Sequence, residues 1–243
     1  LGRDSPQSAQ PGMAAAARQR RSESRAWKNH PMAKAITLLD TTIGKKVVMA
    51  ATGLVLYGFV VAHMLGNLQV FMGPEQLNGY AKKLHDLGPL LWAARAVLVV
   101  AVVLHVLMAV QLVSRSAAAR PIGYRQKKNP TTTYAALTMK FGGLALMLFI
   151  LYHLAHFTFP GVSMAAGYKH SPTDVYANVI AGFRVPWVSA IYVVAQIFLG
   201  MHLYHGAFSL FQTLGLSHPR YIDKARFVAQ TLGIAVAAAN VAM

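Results

Sequence analysis

The sequence contains no cysteine and few acidic residues, and both absences limit what the chain can be. Without cysteine there is no disulfide, no thiolate nucleophile, no cysteine-ligated iron–sulfur cluster and no covalent attachment of haem. Charged residues make up only 12% of the 243 residues, whereas they form about a quarter of an average soluble domain. With 55% hydrophobic residues, the composition disfavours a soluble enzyme. Any metal would have to be held by histidine, methionine or oxygen.

The net charge of +16, from 23 Lys and Arg against 7 Asp and Glu, is concentrated in a few segments. Because the excess is not spread along the chain, we expect no nucleic-acid partner. Residues 1–35 are basic and contain no apolar block that could bury itself, so they are predicted to form a disordered tail. Residues 36–243 are predicted to form a single membrane domain.

Five long apolar stretches predict an all-α fold, an integral membrane bundle of five transmembrane helices. A helix needs about 20 largely apolar residues to cross the hydrocarbon core of a bilayer. The spans are predicted at about 47–72, 89–114, 138–159, 187–213 and 227–243.

The distribution of positive charge predicts the orientation of these spans. Lys and Arg number nine in residues 1–46, six in 114–140 and three in 213–226, but only two each in 73–89 and 160–186. Since short cytoplasmic loops carry the positive excess, the N-terminus is predicted to be cytoplasmic.

Six of the ten histidines lie inside the predicted spans, namely His63, His105, His153, His156, His202 and His205. Ionisable side chains within the membrane are costly, and they usually mark a cofactor, an ion path or a proton relay. For any one of these histidines alone, a neutral imidazole bonded to a neighbouring helix is an equally good interpretation.

The heights of the histidines follow from the helical rise of 1.5 Å per residue, counted from span centres near residues 58, 101, 149 and 200. On this scale His63 and His153 lie about 6–8 Å to the outer side of the centre, and His105 and His205 lie equally far to the inner side. Two imidazoles from facing helices at one height supply the axial ligands of a six-coordinate haem. We therefore predict two non-covalent b haems, with these two pairs as the ligands of the outer and the inner iron.

Two further histidines lie one helical turn from a predicted ligand, on nearly the same helix faces. His156 follows His153 and His202 precedes His205, so each could take its neighbour's role. Otherwise they would bond a propionate, a quinone oxygen or an adjacent helix.

Other charged groups near the spans are scarce. Arg95 and Lys140, near the starts of the second and third spans, would extend to the interface or pair with haem propionates. The spans contain no Asp or Glu, which disfavours a proton-coupled transporter because such proteins normally carry a carboxylate at depth.

Several motifs carry a resemblance to a known family. They are Thr42–Lys46 leading into Gly53 and Ala62-His63-Met64, His105 followed by Pro121–Gln126, Tyr152-His153-Leu154, and His202–Gly206 running on to Ser209–Gly215. With them, residues 36–243 resemble the five-helix, di-haem cytochrome b membrane anchor of succinate dehydrogenases and fumarate reductases.

The resemblance implies a subunit of respiratory complex II, the succinate dehydrogenase of the tricarboxylic acid cycle, in the bacterial cytoplasmic membrane. Such an anchor binds an iron–sulfur subunit and, through it, a flavoprotein that oxidises succinate, so this chain would not itself catalyse succinate oxidation. Electrons would pass through the two haems to a quinone, usually menaquinone in this family. The resemblance leaves open a higher oligomer of the complex.

The motifs of the family place its four axial histidines at His63, His105, His153 and His205, the same residues that the heights select. Quinone contacts are predicted at Thr42 and Lys45 on the inner side, or at Asn67 and His156 on the outer side. Coupling of quinone chemistry to transmembrane proton movement is not implied, because the buried carboxylate that it needs in this family is absent from the spans.

Three alternatives remain. A di-haem quinone cytochrome of a hydrogenase or formate dehydrogenase would share the histidine pattern but lack the Gln212–Gly215 run. A haem-free structural anchor of the same complex would use the bundle for attachment alone. A transporter would move a substrate without partner subunits.

Overall fold

A computed structural model of the protein describes residues 40–119, 122, 132–159, 169–216 and 218–243. These residues form seven α-helices and no strand, so the all-helical prediction is confirmed for them. The predicted tail, 1–35, lies outside the described residues, as does most of the Pro121–Gln126 motif. The helices are α1 (Thr42–Asn67), α2 (Pro74–Asp86), α3 (Pro89–Ala118), α4 (Tyr134–Phe157), α5 (Val175–Phe183), α6 (Pro186–Thr213) and α7 (Ile222–Ala242), and a 3₁₀ turn (Leu68–Met72) follows α1.

Five of these helices, α1, α3, α4, α6 and α7, are long and apolar enough to cross a membrane. The protein is therefore a multi-pass membrane protein. The helices extend beyond the predicted spans at several ends: α1 begins at Thr42 rather than 47, α3 continues to Ala118 rather than 114, and α7 begins at Ile222 rather than 227. The predicted limits were placed at the first charged residues, whereas a helix continues through a charged turn when its side chains reach water.

Neighbouring long helices run antiparallel, as their side-chain contacts show. Between α1 and α3, Lys45 lies beside Gln111 and Gly53 lies beside His105, so position rises along one helix as it falls along the other. Between α4 and α6, a Cβ at Gly143 would meet His202, while His153 lies ten residues further along α4 and contacts Tyr192.

The tightest helix packing is between α6 and α7. A Cβ at Gly233 would lie 2.6 Å from the carbonyl oxygen of Gly200, so the two backbones touch where neither residue has a side chain. Such small-residue contacts are the usual means of close helix association in membranes. Toward one end of the same interface, Asn240 Nδ2 donates to Gln196 Oε1 over 3.0 Å, which pairs two polar side chains within the spans.

Two shorter helices, α2 and α5, occupy segments that the sequence analysis assigned to loops, and they pack on each other. Asp174 caps α5, because its Oδ1 accepts hydrogen bonds from the Ala177 backbone N–H and from Asn78 Nδ2, both over 3.0 Å. Asn78 Oδ1 in turn accepts from the Tyr176 backbone N–H over 2.9 Å. A single Asn side chain of α2 therefore stabilises the first turn of α5 through two hydrogen bonds.

Replacing Asn78 with alanine is expected to release the first turn of α5 while leaving α2 helical. Loss of two hydrogen bonds, at about 1 kcal/mol net each, corresponds to about a thirtyfold increase in local opening. Hydrogen–deuterium exchange of residues 174–180 should therefore accelerate by about that factor. The matched control is Gln76→Ala, at an exposed position of the same helix, which should leave the exchange unchanged. Equal exchange in both variants would contradict this role of Asn78.

The same contact should weaken in acid. The hydrogen bonds from the Ala177 N–H and the Asn78 amide hold the pKa of Asp174 below its ordinary value of 3.8. The stabilisation is therefore complete above that value and is lost as the pH falls through the lower pKa of the folded protein. The difference in exchange between wild type and Asn78→Ala should be constant near neutral pH and should shrink in strong acid. A difference that disappears on raising the pH instead would have the wrong sign.

Candidate functional site

The histidines of the long helices form two clusters at different levels of the bundle. The first, here called the His63 cluster, contains His63 of α1, His153 and His156 of α4, and Tyr192 of α6. The imidazoles of His63 and His153 are adjacent and edge-on, with ring centroids 5.8 Å apart and planes at 84°. His153 Nδ1 lies 3.1 Å from Tyr192 Oη. The structure thus brings together the two residues that were predicted to form the outer pair.

The second cluster, here called the His105 cluster, contains His105 of α3 with His202 and His205 of α6. The ring that faces His105 is that of His202, at a centroid distance of 6.2 Å and an interplanar angle of 59°. His205 follows one turn later on α6. On α1, a Cβ at Gly53 would lie 3.2 Å from His105 Cε1, so glycine is what allows the imidazole to lie against this helix.

The spacing of the two clusters is set by ten residues on each of two helices. On α1, Gly53 marks the level of the His105 cluster and His63 marks the other. On α6, Tyr192 and His202 mark the same two levels. At 1.5 Å per residue, both helices place the levels about 15 Å apart.

Hydrogen bonds define which ring nitrogen of His105 is available to a ligand. His105 Nδ1 lies 3.1 Å from the Met49 carbonyl oxygen and 3.3 Å from Thr52 Oγ1. A carbonyl oxygen can only accept, so Nδ1 carries the proton and Nε2 presents its lone pair. Metal-bound histidines are held in the same way, with the second ring N–H donated to a carbonyl or carboxylate.

His63 presents the same tautomer. Asn67 Nδ2, one turn further along α1, lies 3.1 Å from His63 Nε2. An amide N–H can only donate, so His63 Nε2 is unprotonated and accepts. A metal at His63 Nε2 would take the place of the Asn67 amide.

The distances within each pair suit two imidazoles on one metal. A metal–imidazole bond is about 2 Å long and the ring centre lies roughly 1 Å beyond the nitrogen, so two opposed ligands have centroids about 6 Å apart. In the part of the chain that the structure describes, no group of three or more His, Asp or Glu side chains could hold a metal ion. Two imidazoles are the protein ligands that a six-coordinate iron in a macrocycle needs.

Some buried polar atoms near the pairs have no hydrogen-bond partner. Among the described residues, three buried side-chain atoms have no hydrogen-bond partner, Tyr57 Oη, His156 Nε2 and His202 Nδ1. Tyr57 and Gly58 lie on α1 between the two levels, and a Cβ at Gly58 would meet no atom within 4 Å. Unpaired buried polar atoms are rare, and each needs an explanation such as a missing ligand.

The position of His156 argues against its service as a metal ligand. His156 is only 2% exposed. A Cβ at Gly182 of α5 would lie 3.0 Å from His156 Cε1 and 3.2 Å from His156 Nε2. Its Nε2 therefore faces the backbone of α5 and leaves no room for iron. His156 Nδ1 lies 3.0 Å from Tyr192 Oη.

The two charged candidates, Arg95 and Lys140, lie on α3 and α4. Arg95, on the first turns of α3, places its guanidinium 4.9 Å from the ring centre of the exposed Trp92, a contact typical of the membrane interface. Lys140 is exposed on α4.

The predicted quinone contacts have the following environments. Thr42 is exposed at the start of α1. Lys45 is 7% exposed and its Nζ donates to Gln111 Oε1 of α3. Asn67, as described above, bonds His63.

The sequence analysis missed Tyr192, whose hydroxyl contacts both His153 and His156. The same height rule would have found it, because it lies eight residues before the centre of its span, about 12 Å to the predicted outer side. His156 lies at nearly the same predicted height. A histidine in an apolar span is unusual, whereas a tyrosine there is typical of helix packing.

No family model, curated protein or solved structure matches the chain. The resemblance to the cytochrome b anchors therefore rests on the sequence motifs.

Proposed function

We propose that the chain is the membrane-anchor cytochrome b subunit of a bacterial succinate:quinone oxidoreductase. It would carry electrons from an iron–sulfur subunit through two b haems to a membrane quinone. The observation that carries the proposal is the presence of two facing imidazole pairs, about 15 Å apart by the helical rise, within a bundle of apolar helices.

The residues of the chain would hold and insulate the two haems. When bound, each haem supplies one-electron redox chemistry. His105 contributes a preset Nε2 lone pair, because its Nδ1–H is held by the Met49 carbonyl. The apolar helices exclude water and keep the dielectric low around both levels.

We propose His105 and His202 as the ligands at the level of the His105 cluster, because these rings face each other. The sequence prediction, based on height and motif, named His205 in place of His202. The choice of His205 stays a prediction. His202 and His205 are one turn apart on α6 and share nearly the same face.

The partners and the orientation follow from charge and motif. The positive segments 1–46, 114–140 and 213–226 would lie in the cytoplasm, where they would also suit docking of an iron–sulfur subunit with its flavoprotein. The quinone would be menaquinone, as the resemblance implies. Lys45, a buried cation beside the amide of Gln111, provides hydrogen-bond donors for a quinone or a propionate at the cytoplasmic end.

Purification of the tagged chain from its native membrane tests the partners. The expected result is co-purification of a flavin-containing and an iron–sulfur-containing subunit, with succinate-dependent quinone reduction. A nickel- or molybdenum-containing partner would contradict the succinate assignment while leaving the haem sites standing. Substrate flux in proteoliposomes without any partner would favour a transporter instead.

Single histidine variants test the two levels separately. His63→Ala or His153→Ala should abolish the haem of the His63 cluster and retain the other, and His105→Ala should do the reverse, because each iron needs both of its ligands. Reduced-minus-oxidised visible spectra and haem content per chain measure both outcomes. The matched control is His85→Ala on α2, outside the long helices, which should keep both haems. A loss of the same haem from variants of both clusters would contradict separate sites.

A comparison of His202→Ala with His205→Ala identifies the fourth ligand. We expect His202→Ala to lose the haem of the His105 cluster and His205→Ala to keep it with at most a shifted spectrum. The opposite result would show that the height and motif prediction was right and that the facing rings are not the ligand pair.

A further inference from the structure

The hydroxyl of Tyr192 contacts two buried imidazoles at once, and none of the roles assigned so far uses it. Its Oη lies 3.1 Å from His153 Nδ1 and 3.0 Å from His156 Nδ1. We propose that Tyr192 is a positioning residue that accepts the Nδ1–H of His153, orients that imidazole as an iron ligand and increases its electron donation. The inference rests on the proposed function, since it concerns the haem of the His63 cluster.

The surroundings of Tyr192 hold its hydroxyl in place. The residue is 9% exposed, and the rings of Phe149 and Phe183 lie edge-on to its own at centroid distances of 5.0 and 4.8 Å. The ring of Phe157 lies 6.1 Å away. Three aromatic side chains from α4 and α5 therefore fix the tyrosine ring, and the hydroxyl has little freedom to seek another partner.

A count of protons assigns the direction of each hydrogen bond. A tyrosine hydroxyl has one proton and can accept through its oxygen. If His153 binds iron through Nε2, its proton must be on Nδ1, and that N–H can only donate to Tyr192 Oη. The hydroxyl proton of Tyr192 is then free for the Nδ1 of His156, which lies within hydrogen-bond distance.

His156 completes this series of hydrogen bonds. Its Nε2 faces the backbone at Gly182, so the imidazole meets the rest of the cluster through Nδ1. A hydroxyl that donates its own proton becomes a better acceptor, since hydrogen bonds in a chain polarise one another. His156 thus strengthens the acceptor that Tyr192 offers to His153.

A stronger acceptor on Nδ1–H makes the opposite ring nitrogen a more basic ligand. A more basic ligand stabilises the oxidised iron relative to the reduced iron and lowers the midpoint potential. Tyr192→Phe keeps the ring packing and removes the hydroxyl, and with it both the acceptor for His153 and the donor to His156. The expected result is a rise in the midpoint potential of one haem, that of the His63 cluster, with no change at the other.

The experiment is a redox titration of the purified complex, combined with the EPR signals of the oxidised haems. Wild type is compared with Tyr192→Phe and with the control Tyr152→Phe, which removes a hydroxyl from a neighbouring ring that stacks on His156 at 5.6 Å. Tyr152→Phe should leave both potentials unchanged. His156→Leu, which keeps the hydroxyl of Tyr192, should raise the same potential by less than Tyr192→Phe does.

The outcomes separate this inference from the proposed function. A shift of potential and EPR signal confined to the haem of the His63 cluster, or selective loss of that haem in Tyr192→Phe, supports the positioning role. Two haems in wild type with no change in Tyr192→Phe, or a change only at the other haem, overturns the inference and leaves the proposed function intact. An unshifted potential in His156→Leu refutes the part assigned to His156. A wild-type complex without haem overturns both.

Discussion

An imidazole inside a membrane must have its ring nitrogens satisfied, and this constraint explains most of the polar contacts in the bundle. Burying a polar group without a partner costs several kcal/mol, roughly 2–7 depending on the reference state. The protein meets the requirement at Nδ1 of two of these rings, with the Met49 carbonyl at His105 and Tyr192 at His153. This leaves Nε2 of His105 and of His153 with its lone pair. Metal-bound histidines are held in the same way, through the N–H of the other ring nitrogen.

Two helices, α1 and α6, contribute residues at the levels of both histidine clusters. α1 provides Gly53 at one level and His63 at the other, and α6 provides His202 and Tyr192. α6 also packs closely on α4 and α7, and its Gly200 allows backbone contact with α7. Rigid helices with a fixed rise are therefore what holds the two levels at a constant separation. A shift of α6 along its axis would displace both clusters together.

The heights of the histidines were accessible from the sequence because the helical rise is nearly invariant. The rotation of each helix about its axis could not be predicted from the sequence. This rotation decides which of two residues one turn apart faces a given neighbour. His153 and His156 are a clear example, since the backbone at Gly182, on a short helix that the sequence did not predict, closes off His156. The same ambiguity holds for His202 and His205. Only the ring contact between α3 and α6 shows that the ring beside His105 is that of His202. α2 and α5 escaped prediction because they are too short for an apolar span; α5 begins at the Asp174 cap, and α2 begins at Pro74 without a side-chain cap.

We propose that both imidazole pairs bind iron in a tetrapyrrole. The most direct measurement is the number of haems per chain in the intact complex, by pyridine haemochrome assay against quantitative amino-acid analysis. The account predicts two b-type haems per chain, both extracted by acidic acetone because neither is covalently bound. One haem or none per chain would contradict it.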